Sequence, residues 1–544
     1  MRDVHVFRDT RHEISGPRLL AQLWASLAEL ASCGDSAPPR HLVEDALLRA
    51  GELESLLTDR GLDSSIAMAA LADALAAALI APDRPLAIDL CACPVSPSLT
   101  LPAWLLASPP EGFAHYAVHP LDFAELAGRL PLFDAPAVVI GLRTIGTTLS
   151  AVVAATLRAR GIPAPRFTVR PEGHPYDRVV RLGAQARRWI REQAAFKASF
   201  FVVDEGPGRS GSSLLAAAEA LIAAGAPRGR VTLLCTHAPD PEALLAPDAA
   251  RRLRSFALHA TGPSRIVPEE ATLPLPAGAW RKHLFAEEHQ YPPIWPMLER
   301  RKLLSQDRQH LFKYEGLGRW GASALARAQV LHEAGFGLPT EQAGHGFLVT
   351  PWLDSAPLRP ESLTTALLHR LSAYCAFRAS AFPAEGHSAG DLELMIRKNA
   401  LVALGREIGP RVDLPLGRPV IADARMMPHE WIAAPGAPPL KMDGLAHGDD
   451  HLFPGPVDVA WDLAGAIVEW RMSASARRVF LDSYHRASGD DCESRLPAYL
   501  YAYTLFRLAW TIAAAASAPS EEAPRLGAAE QRYRAVLQNL PSPW

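Results

Sequence analysis

The sequence predicts an α/β unit built on a parallel sheet, with a helical region before it and an α+β unit after it. Two apolar runs, 136–140 and 200–203, each lead into a Gly-rich polar turn and a helix, the pattern of βα units. The Pro-rich stretch 262–296 shows little periodicity and is typical of a linker. We therefore expect a helical N-terminal region at 1–84, a parallel-sheet unit at 85–261, a linker at 262–296 and an α+β unit at 297–544.

Composition narrows the classes of function. The 544 residues carry a net charge of −3, which gives no electrostatic reason to expect nucleic-acid binding. The apolar stretches 66–81 and 500–518 are interrupted by Asp73 and Arg507, so they predict buried helices rather than membrane spans. The first ten residues lack the apolar core of a signal peptide, and the six cysteines are scattered. We expect a cytoplasmic protein that acts on small molecules, not on nucleic acid or membranes.

The N-terminal region, residues 17–81, has apolar positions at spacings of three and four, which predicts helices. The sequence leaves open whether these helices form a hood over the next unit or the surface of a homodimer. Residues 86–93 are a candidate strand before the core of that unit.

The richest motif follows the run 200–203. Asp204 and Glu205 come at the end of this predicted strand, where open α/β sheets bind their ligands. A Gly/Ser turn then leads into a helix whose N-terminus favours a phosphate; its residues are Gly206, Gly208, Arg209, Ser210, Gly211, Ser212 and Ser213. This motif resembles the phosphoribosyl-pyrophosphate (PRPP) loop of type I phosphoribosyltransferases. The resemblance implies that the acids hold the ribose hydroxyls and that the turn holds the 5′-phosphate.

This turn has one residue more before its first Ser than the usual motif, since four residues, 206–209, precede Ser210. The alternatives are an ordinary strand–loop–helix and a dinucleotide-binding turn, because Gly206, Gly208 and Gly211 also fit GxGxxG. The dinucleotide alternative is the weaker one, since acids directly precede the glycines and no acid ends a second strand about 20 residues later.

A second loop, 141–148, follows the run 136–140 and resembles the pyrophosphate loop of the same family. Arg143 would supply charge to the leaving pyrophosphate, and Thr144, Thr147 and Thr148 would supply hydroxyls. Residues 166–170 predict the next strand, which opens into the polar loop 171–178. This loop is either a solvated connector or the mobile loop that covers PRPP in the family, with Arg170, His174 and Arg178 as its candidate residues.

The second half of the chain carries a different order of elements. Lys313 lies in the apolar strand 310–314, which a helix at 322–334 and an apolar strand at 346–353 follow. Farther along come the segments 421–432, 439–444 and 457–465, with Asp423, Asp443 and Asp462. This order resembles the kinase-like phosphotransferases of the aminoglycoside and choline kinase group. The resemblance implies an α+β protein-kinase-like fold that uses ATP and Mg²⁺.

Carried over by position, Lys313 corresponds to the lysine on the ATP phosphates, Asp423 to the catalytic acid, Asp443 to a magnesium ligand and Asp462 to the structural acid. The chain departs from the pattern in three ways. The helix after Lys313 has no Glu near its middle to pair with this lysine, since Glu333 lies near the helix end. No Gly-rich loop precedes Lys313, and Pro428 stands where an Asn is expected five residues after Asp423. His429 or Glu430 would then take the metal. Asp449, in the stretch 447–451, is a further metal candidate, with an ordinary polar loop as the alternative.

The two resemblances together predict a bifunctional enzyme. Its first unit would transfer a phosphoribosyl group from PRPP to a small acceptor, with Mg²⁺ bound and pyrophosphate released, and its second unit would phosphorylate the product or a related metabolite. Two alternatives stay open: a sensor of PRPP or nucleotide with a pseudokinase-like half, and a phosphoribosyl-fold enzyme that cleaves a nucleoside-like substrate.

Overall fold

The computed structural model describes most of the chain, namely residues 12–34, 36–83, 95, 99–131, 135–384, 389–408, 412–433, 436–445, 447–449 and 452–541. The candidate strand at 86–93 lies outside the described residues. None of the described helices combines the length and apolarity needed to cross a membrane.

The N-terminal region is helical, as the spacing of its apolar residues predicts. Leucines on consecutive turns of its helices are buried and pack against a helix of the parallel-sheet unit, around Val152. Two short strands of this region, His12–Ser15 and Trp104–Ala107, pair in antiparallel orientation. Its elements are β1 (His12–Ser15), α1 (Gly16–Ser32), α2 (Arg40–Asp59), α3 (Ser64–Ile80), β2 (Trp104–Ala107), α4 (Glu111–Ala114) and α5 (Pro120–Arg129).

The next unit contains the predicted parallel sheet. Its elements are β3 (Ala137–Leu142), α6 (Ile145–Ala159), β4 (Arg166–Val169), β5 (Glu172–His174), β6 (Asp177–Val179), α7 (Ala184–Ala195), β7 (Ser199–Val203), α8 (Ser212–Ala223), β8 (Val231–Cys235), α9 (Ala249–Leu253) and β9 (Ala257–Ala260). Five strands pair in parallel in the order β4-β3-β7-β8-β9, while β5 and β6 form a separate hairpin. In chain order this is a 2-1-3-4-5 sheet, whose ligand crevice lies where the first and third strands meet. Here those strands are β3 and β7.

The C-terminal half begins with an antiparallel sheet and continues with helices. Its elements are β10 (Ala271–Leu275), α10 (Arg281–Leu284), β11 (Lys302–Ser305), β12 (His310–Tyr314), α11 (Arg319–Glu333), β13 (Glu341–Gly344), β14 (Phe347–Pro351), α12 (Thr365–Ala381), α13 (Ala389–Leu404), β15 (Pro419–Val420), β16 (Trp431–Ile432), β17 (Leu440–Lys441), β18 (Val457–Asp458), α14 (Ala460–Glu469), α15 (Ala474–Ser488), α16 (Leu496–Ala515) and α17 (Ala523–Asn539). The five-stranded sheet has the order β10-β11-β12-β14-β13. The short strands β16 and β17 form a hairpin after the segment that carries Asp423.

Residues 262–296 are folded into the C-terminal half, although their prolines suggest a linker. Strand β10 pairs with β11, and Arg281 makes a buried two-point ion pair with Glu522, at 2.6 and 3.1 Å. Trp295 packs edge-on against Trp510, with ring centroids 5.7 Å apart. These contacts attach to the C-terminal half a stretch that has little periodicity of its own.

The antiparallel sheet also packs against the parallel-sheet unit. Phe312 and Tyr314 share one apolar core with Phe113 and with residues of β3 and β7. The Tyr314 hydroxyl donates to the Phe113 carbonyl at 2.6 Å, and the Leu317 amide donates to the same oxygen at 2.8 Å. The two halves are therefore joined by a continuous core.

Candidate functional site

The crevice at the carboxyl ends of β3 and β7 opens into a cavity of about 1000 Å³. Most of the residues that the sequence assigns to PRPP line it: Arg143, Thr144, Arg170, Arg178, Asp204, Glu205, Gly206, Gly208 and Arg209. The C-terminal half contributes an apolar part of the wall through Trp295, Met297, Leu298 and Leu452. The structure thus brings together two loops and a hairpin that are far apart in the sequence.

The turn between β7 and α8 needs its glycines. Gly208 and Gly211 have φ angles of +54° and +69°, a region that L side chains rarely adopt. Ser212 is the first residue of α8, so this turn lies at the positive end of a twelve-residue helix. Such a helix start, with Ser210, Ser212 and Ser213 around it, can bind a phosphate.

The hairpin β5–β6 is tied to this turn. The hydroxyls of Ser210 and Ser212 both donate to the Pro175 carbonyl at its tip, at 2.8 and 2.7 Å. Arg178 donates to the Gly173 carbonyl at 2.6 Å, and the His174 Nδ1 atom accepts the Tyr176 amide at 3.2 Å. The predicted polar loop is therefore a hairpin that lies against the turn and directs Arg178 toward the cavity.

The two acids are half-buried at the cavity wall. Burial raises the pKa of Asp204 to about 7. Burial and the neighbouring carboxylates of Glu111 and Asp204 raise the pKa of Glu205 to about 8. Glu205 accepts the Gly112 amide of α4 at 2.9 Å, and a Cβ at Gly112 would lie 2.7 Å from this carboxylate. The positive charge of Arg170 offsets the effect of burial on Asp204 only in part, so the acids are suited to bind hydroxyls and a cation.

Two arginines line the same cavity as the acids. Arg170 donates to the Arg143 carbonyl at 2.8 Å, which holds the two residues together. The Asp59 carboxylate, at the end of α2, accepts from Arg170 at 2.5 Å and lies 3.3 Å from the Arg143 guanidinium. Sequence analysis missed Asp59 and Gly112, because neither belongs to a motif and both reach the site only through tertiary packing.

The structure differs from the sequence-based expectation at Thr147 and Thr148. Helix α6 begins at Ile145, so both residues belong to the helix and are buried, with exposed fractions of 0% and 3%. A Cβ at Gly51 of α2 would lie 2.0 Å from the Thr148 hydroxyl, which shows how closely the two helices pack. Of the three threonines, Thr144 alone lines the cavity.

A second cluster of charged groups lies in the C-terminal half. Lys313 on β12 donates to Asp443 at 2.7 Å and pairs with Glu315 at 2.8 Å, rather than with the exposed Glu333. Lys313 lowers the pKa of Asp443 well below its usual range, and Asp443 and Glu315 raise the pKa of Lys313. The structure therefore brings together the lysine and the carboxylate that the sequence assigns to the nucleotide phosphates and the metal.

The segment with Asp423 is anchored by Asp462. The Asp462 carboxylate accepts the backbone amides of Asp423 and Ala424, at 2.8 and 2.9 Å. Asp423 itself is fully buried and accepts the Tyr374 hydroxyl at 2.5 Å. Asp462 thus has the structural position that the sequence predicts, whereas Asp423 is already engaged by protein groups.

The predicted metal ligands do not all meet. Ligand atoms of Asp423, Glu430 and His447 lie within 4.8 Å of one another. His429 instead stacks on Trp280, with ring centroids 6.0 Å apart, and burial lowers its pKa to about 3. Asp449 lies in a short helical turn, and its side chain is outside the described part of the structure. The Lys441 ammonium lies 2.5 Å from Glu430 and 3.2 Å from Asp423.

No protein-family model and no curated protein matches the chain. The search of solved structures finds choline kinase LicA from Streptococcus pneumoniae, with 14% identity and a TM-score of 0.31, covering 44% of this chain and 90% of that one. A choline/ethanolamine kinase family protein from Mesorhizobium loti has 15% identity and a TM-score of 0.32, with coverages of 48% and 94%. The spectinomycin phosphotransferase APH(9)-Ia, solved with ADP and spectinomycin, has 12% identity and a TM-score of 0.28, with coverages of 45% and 85%. All three TM-scores are below 0.5, so these similarities assign no function to the chain.

Proposed function

We propose that this chain is an enzyme that transfers a phosphoribosyl group from PRPP to a small acceptor and releases pyrophosphate. One observation carries the proposal. Asp204 and Glu205 lie at the switch point of a 2-1-3-4-5 parallel sheet, beside a Gly/Ser turn at a helix N-terminus and in the same cavity as Arg143 and Arg170. The site therefore offers carboxylates that can bind ribose hydroxyls. It also offers two separate phosphate-binding groups, the start of α8 and the two arginines.

The binding mode follows from the charges. The 5′-phosphate would lie at the start of α8, whose N-terminus favours an anion. The hydroxyls of Ser210 and Ser212, which donate to the Pro175 carbonyl in the ligand-free chain, would have to turn toward the phosphate. The ribose hydroxyls would meet Asp204 and Glu205, and the pyrophosphate would meet Arg143 and Arg170. Mg²⁺, when bound with PRPP at the two acids, would neutralise part of the pyrophosphate charge.

In the reaction, a lone pair of the acceptor forms a bond to C1 of the ribose as the bond from C1 to the pyrophosphate oxygen breaks. The electron pair of the broken bond leaves with pyrophosphate, and the acceptor loses a proton to water. Arginines held in place before the reaction stabilise the charge that develops on the leaving group. The hairpin β5–β6 and the C-terminal half both contribute residues to the wall of the cavity, where they would face the bound substrates.

Pyrophosphate release across a panel of acceptors, with and without ATP, tests this function. Wild-type protein should release pyrophosphate from PRPP only when a suitable acceptor is present. PRPP binding without turnover on any acceptor would favour a sensor, and loss of a base from a nucleoside-like substrate without PRPP would favour a cleaving enzyme. Both outcomes would contradict phosphoribosyl transfer.

The C-terminal half has a second candidate function, transfer of a phosphoryl group from ATP. The Lys313–Asp443 contact at 2.7 Å and the anchoring of residues 423–424 by Asp462 favour it. A positive group on the phosphates and a carboxylate for magnesium are what the chemistry requires. Two catalytic units in one chain would suit consecutive steps on one metabolite.

Nucleotide titration tests this second function. Wild-type protein should bind ATP in the presence of magnesium, and Asp443→Ala should lose the dependence on magnesium. Glu333→Gln is the matched control, since Glu333 is exposed and lies on the helix after Lys313. Absence of ATP binding at millimolar concentration would leave the C-terminal half as a pseudokinase-like scaffold.

A further inference from the structure

Three side chains of the C-terminal half, two acids and a histidine, have the composition of a metal site. Asp423, Glu430 and His447 each place a ligand atom within 4.8 Å of the others. Carboxylate oxygens and imidazole nitrogens are common ligands of divalent cations. Kinases hold the metal ions of their nucleotide with acids and an Asn of the catalytic segment.

The Lys441 ammonium already bonds to this set. Its Nζ atom donates to Glu430 Oε2 at 2.5 Å and to the Arg425 carbonyl at 3.1 Å. It also donates to Asp423 Oδ1 at 3.3 Å and lies 3.2 Å from Asp423 Oδ2. An ammonium has three donors, and the Glu430 carboxylate, the Asp423 carboxylate and the Arg425 carbonyl account for all of them. The Lys441 side chain is only 1% exposed, so water does not substitute for these partners.

The other acids around this set also have partners within the protein. Asp443 is paired with Lys313, and Glu315 is paired with both Lys313 and Arg300. Asp462 accepts two backbone amides. A divalent ion placed among Asp423, Glu430 and His447 would meet the Lys441 ammonium at close range in a buried site, where repulsion between like charges is strong. The donor set therefore does not fit a metal while Lys441 is present.

We propose that Lys441 is the built-in cation of this acid set and excludes a divalent metal from it. A protein ammonium on β17 takes the place that a metal ion would otherwise have between Asp423 and Glu430. A metal that accompanies a nucleotide in this half would then have Asp443 as its protein carboxylate. The inference goes beyond the proposed phosphoribosyl transfer and does not depend on it.

Manganese binding to the full-length chain tests the proposal. The titrations use the Asp204→Asn/Glu205→Gln background, which removes the two acids of the other site, and they count bound Mn²⁺ by calorimetry and electron paramagnetic resonance. Adding Glu430→Gln to this background should leave the number of bound Mn²⁺ unchanged. Adding Lys441→Met should create one new Mn²⁺ site, which a further Glu430→Gln should abolish. The charge-preserving control Lys441→Arg should create none.

Two results would overturn the proposal. The first is a Mn²⁺ ion that Glu430→Gln removes from a chain that still contains Lys441. The second is a folded Lys441→Met chain that gains no Mn²⁺. Should Lys441→Met fail to fold because its buried acids lose their partner, the Glu430→Gln comparison in the Lys441-containing background decides alone. Because PRPP is absent from every titration, failure of this proposal and failure of phosphoribosyl transfer are separate results.

Discussion

The Arg143 guanidinium, only 12% exposed, is held at the edge of the cavity by Asp59. If it stabilises the leaving pyrophosphate, Arg143→Ala should lower PRPP-dependent turnover by about 10²-fold, the order expected when a preorganised charge is removed. Arg188→Ala is the control, since Arg188 is exposed on α7. Steady-state pyrophosphate release measures both variants, and a loss of about twofold or less for Arg143→Ala would make the loop a simple connector.

The pKa values of the two acids predict a dependence of stability on pH. Folding raises the pKa of Asp204 from 3.8 to about 7 and that of Glu205 from 4.5 to about 8. Between pH 4 and pH 8 the folded chain keeps protons that the unfolded chain has lost, so these acids lower stability as the pH rises. Asp204→Asn/Glu205→Gln should therefore melt at a higher temperature than wild type at pH 8, with little difference at pH 4.

Thermal melts of the ligand-free proteins at the two pH values check this prediction. Glu242→Gln is a suitable control, because Glu242 is exposed and its ion pair is with Arg254 rather than with a group of the cavity. Equal melting temperatures of wild type and the double variant at pH 8 would mean that the buried, ionised acids do not destabilise the fold. Mg²⁺ and PRPP should reverse the effect in wild type, since a cation favours the ionised carboxylates.

At the scale of elements, the C-terminal end of α2 helps to build the site. Asp59 brings two guanidinium groups together, and without its charge these groups would repel each other and lose their common orientation. Asp59→Asn should lower turnover by roughly tenfold or more with little change in melting temperature, because a misplaced charge weakens transition-state stabilisation. Asp63→Asn is the control. Asp63 is exposed and its side chain makes no hydrogen bond to the start of α3, so this variant should behave like wild type. Unchanged turnover of Asp59→Asn would show that Arg143 and Arg170 do not need this carboxylate.

Several elements could be predicted from local pattern. Strand β12 spans the predicted residues 310–314, and β7 begins one residue before the predicted 200–203. The start of α6 could not, because its first residues, Ile145-Gly-Thr-Thr148, have the composition of a turn and become helical where they pack against α2. For the same reason β10 is hidden in a Pro-rich stretch. Its pairing with β11 is a tertiary property that periodicity does not report.

Among the charged residues, too, some could be predicted from the local sequence and others could not. Asp204 and Glu205 could be found because they follow a buried strand directly in the sequence. The role of Lys441 could not, because an isolated lysine before Asp443 is typical of an ordinary surface strand. Its burial depends on β17 folding over Asp423 and Glu430, which lie 18 and 11 residues earlier.

At the scale of the whole molecule, the shared core predicts that the two halves unfold together. Tyr314 is 1% exposed, and its hydroxyl links β12 to α4 through the Phe113 carbonyl. Tyr314→Phe should lower the free energy of unfolding by about 1 kcal/mol, the usual contribution of one hydrogen bond. Calorimetry should show one transition for both wild type and variant. Two well-separated transitions in wild type would contradict the continuous core.

The central claim is that the parallel-sheet unit binds PRPP through Asp204 and Glu205. Isothermal calorimetry of PRPP binding with magnesium, on wild type and on Asp204→Asn/Glu205→Gln, tests it most directly, with Glu242→Gln as the control. Wild type and control should bind PRPP with one site per chain, and the double variant should lose magnesium-dependent binding while it stays folded. Equal PRPP affinity in wild type and the double variant, or no binding to wild type, would contradict the claim.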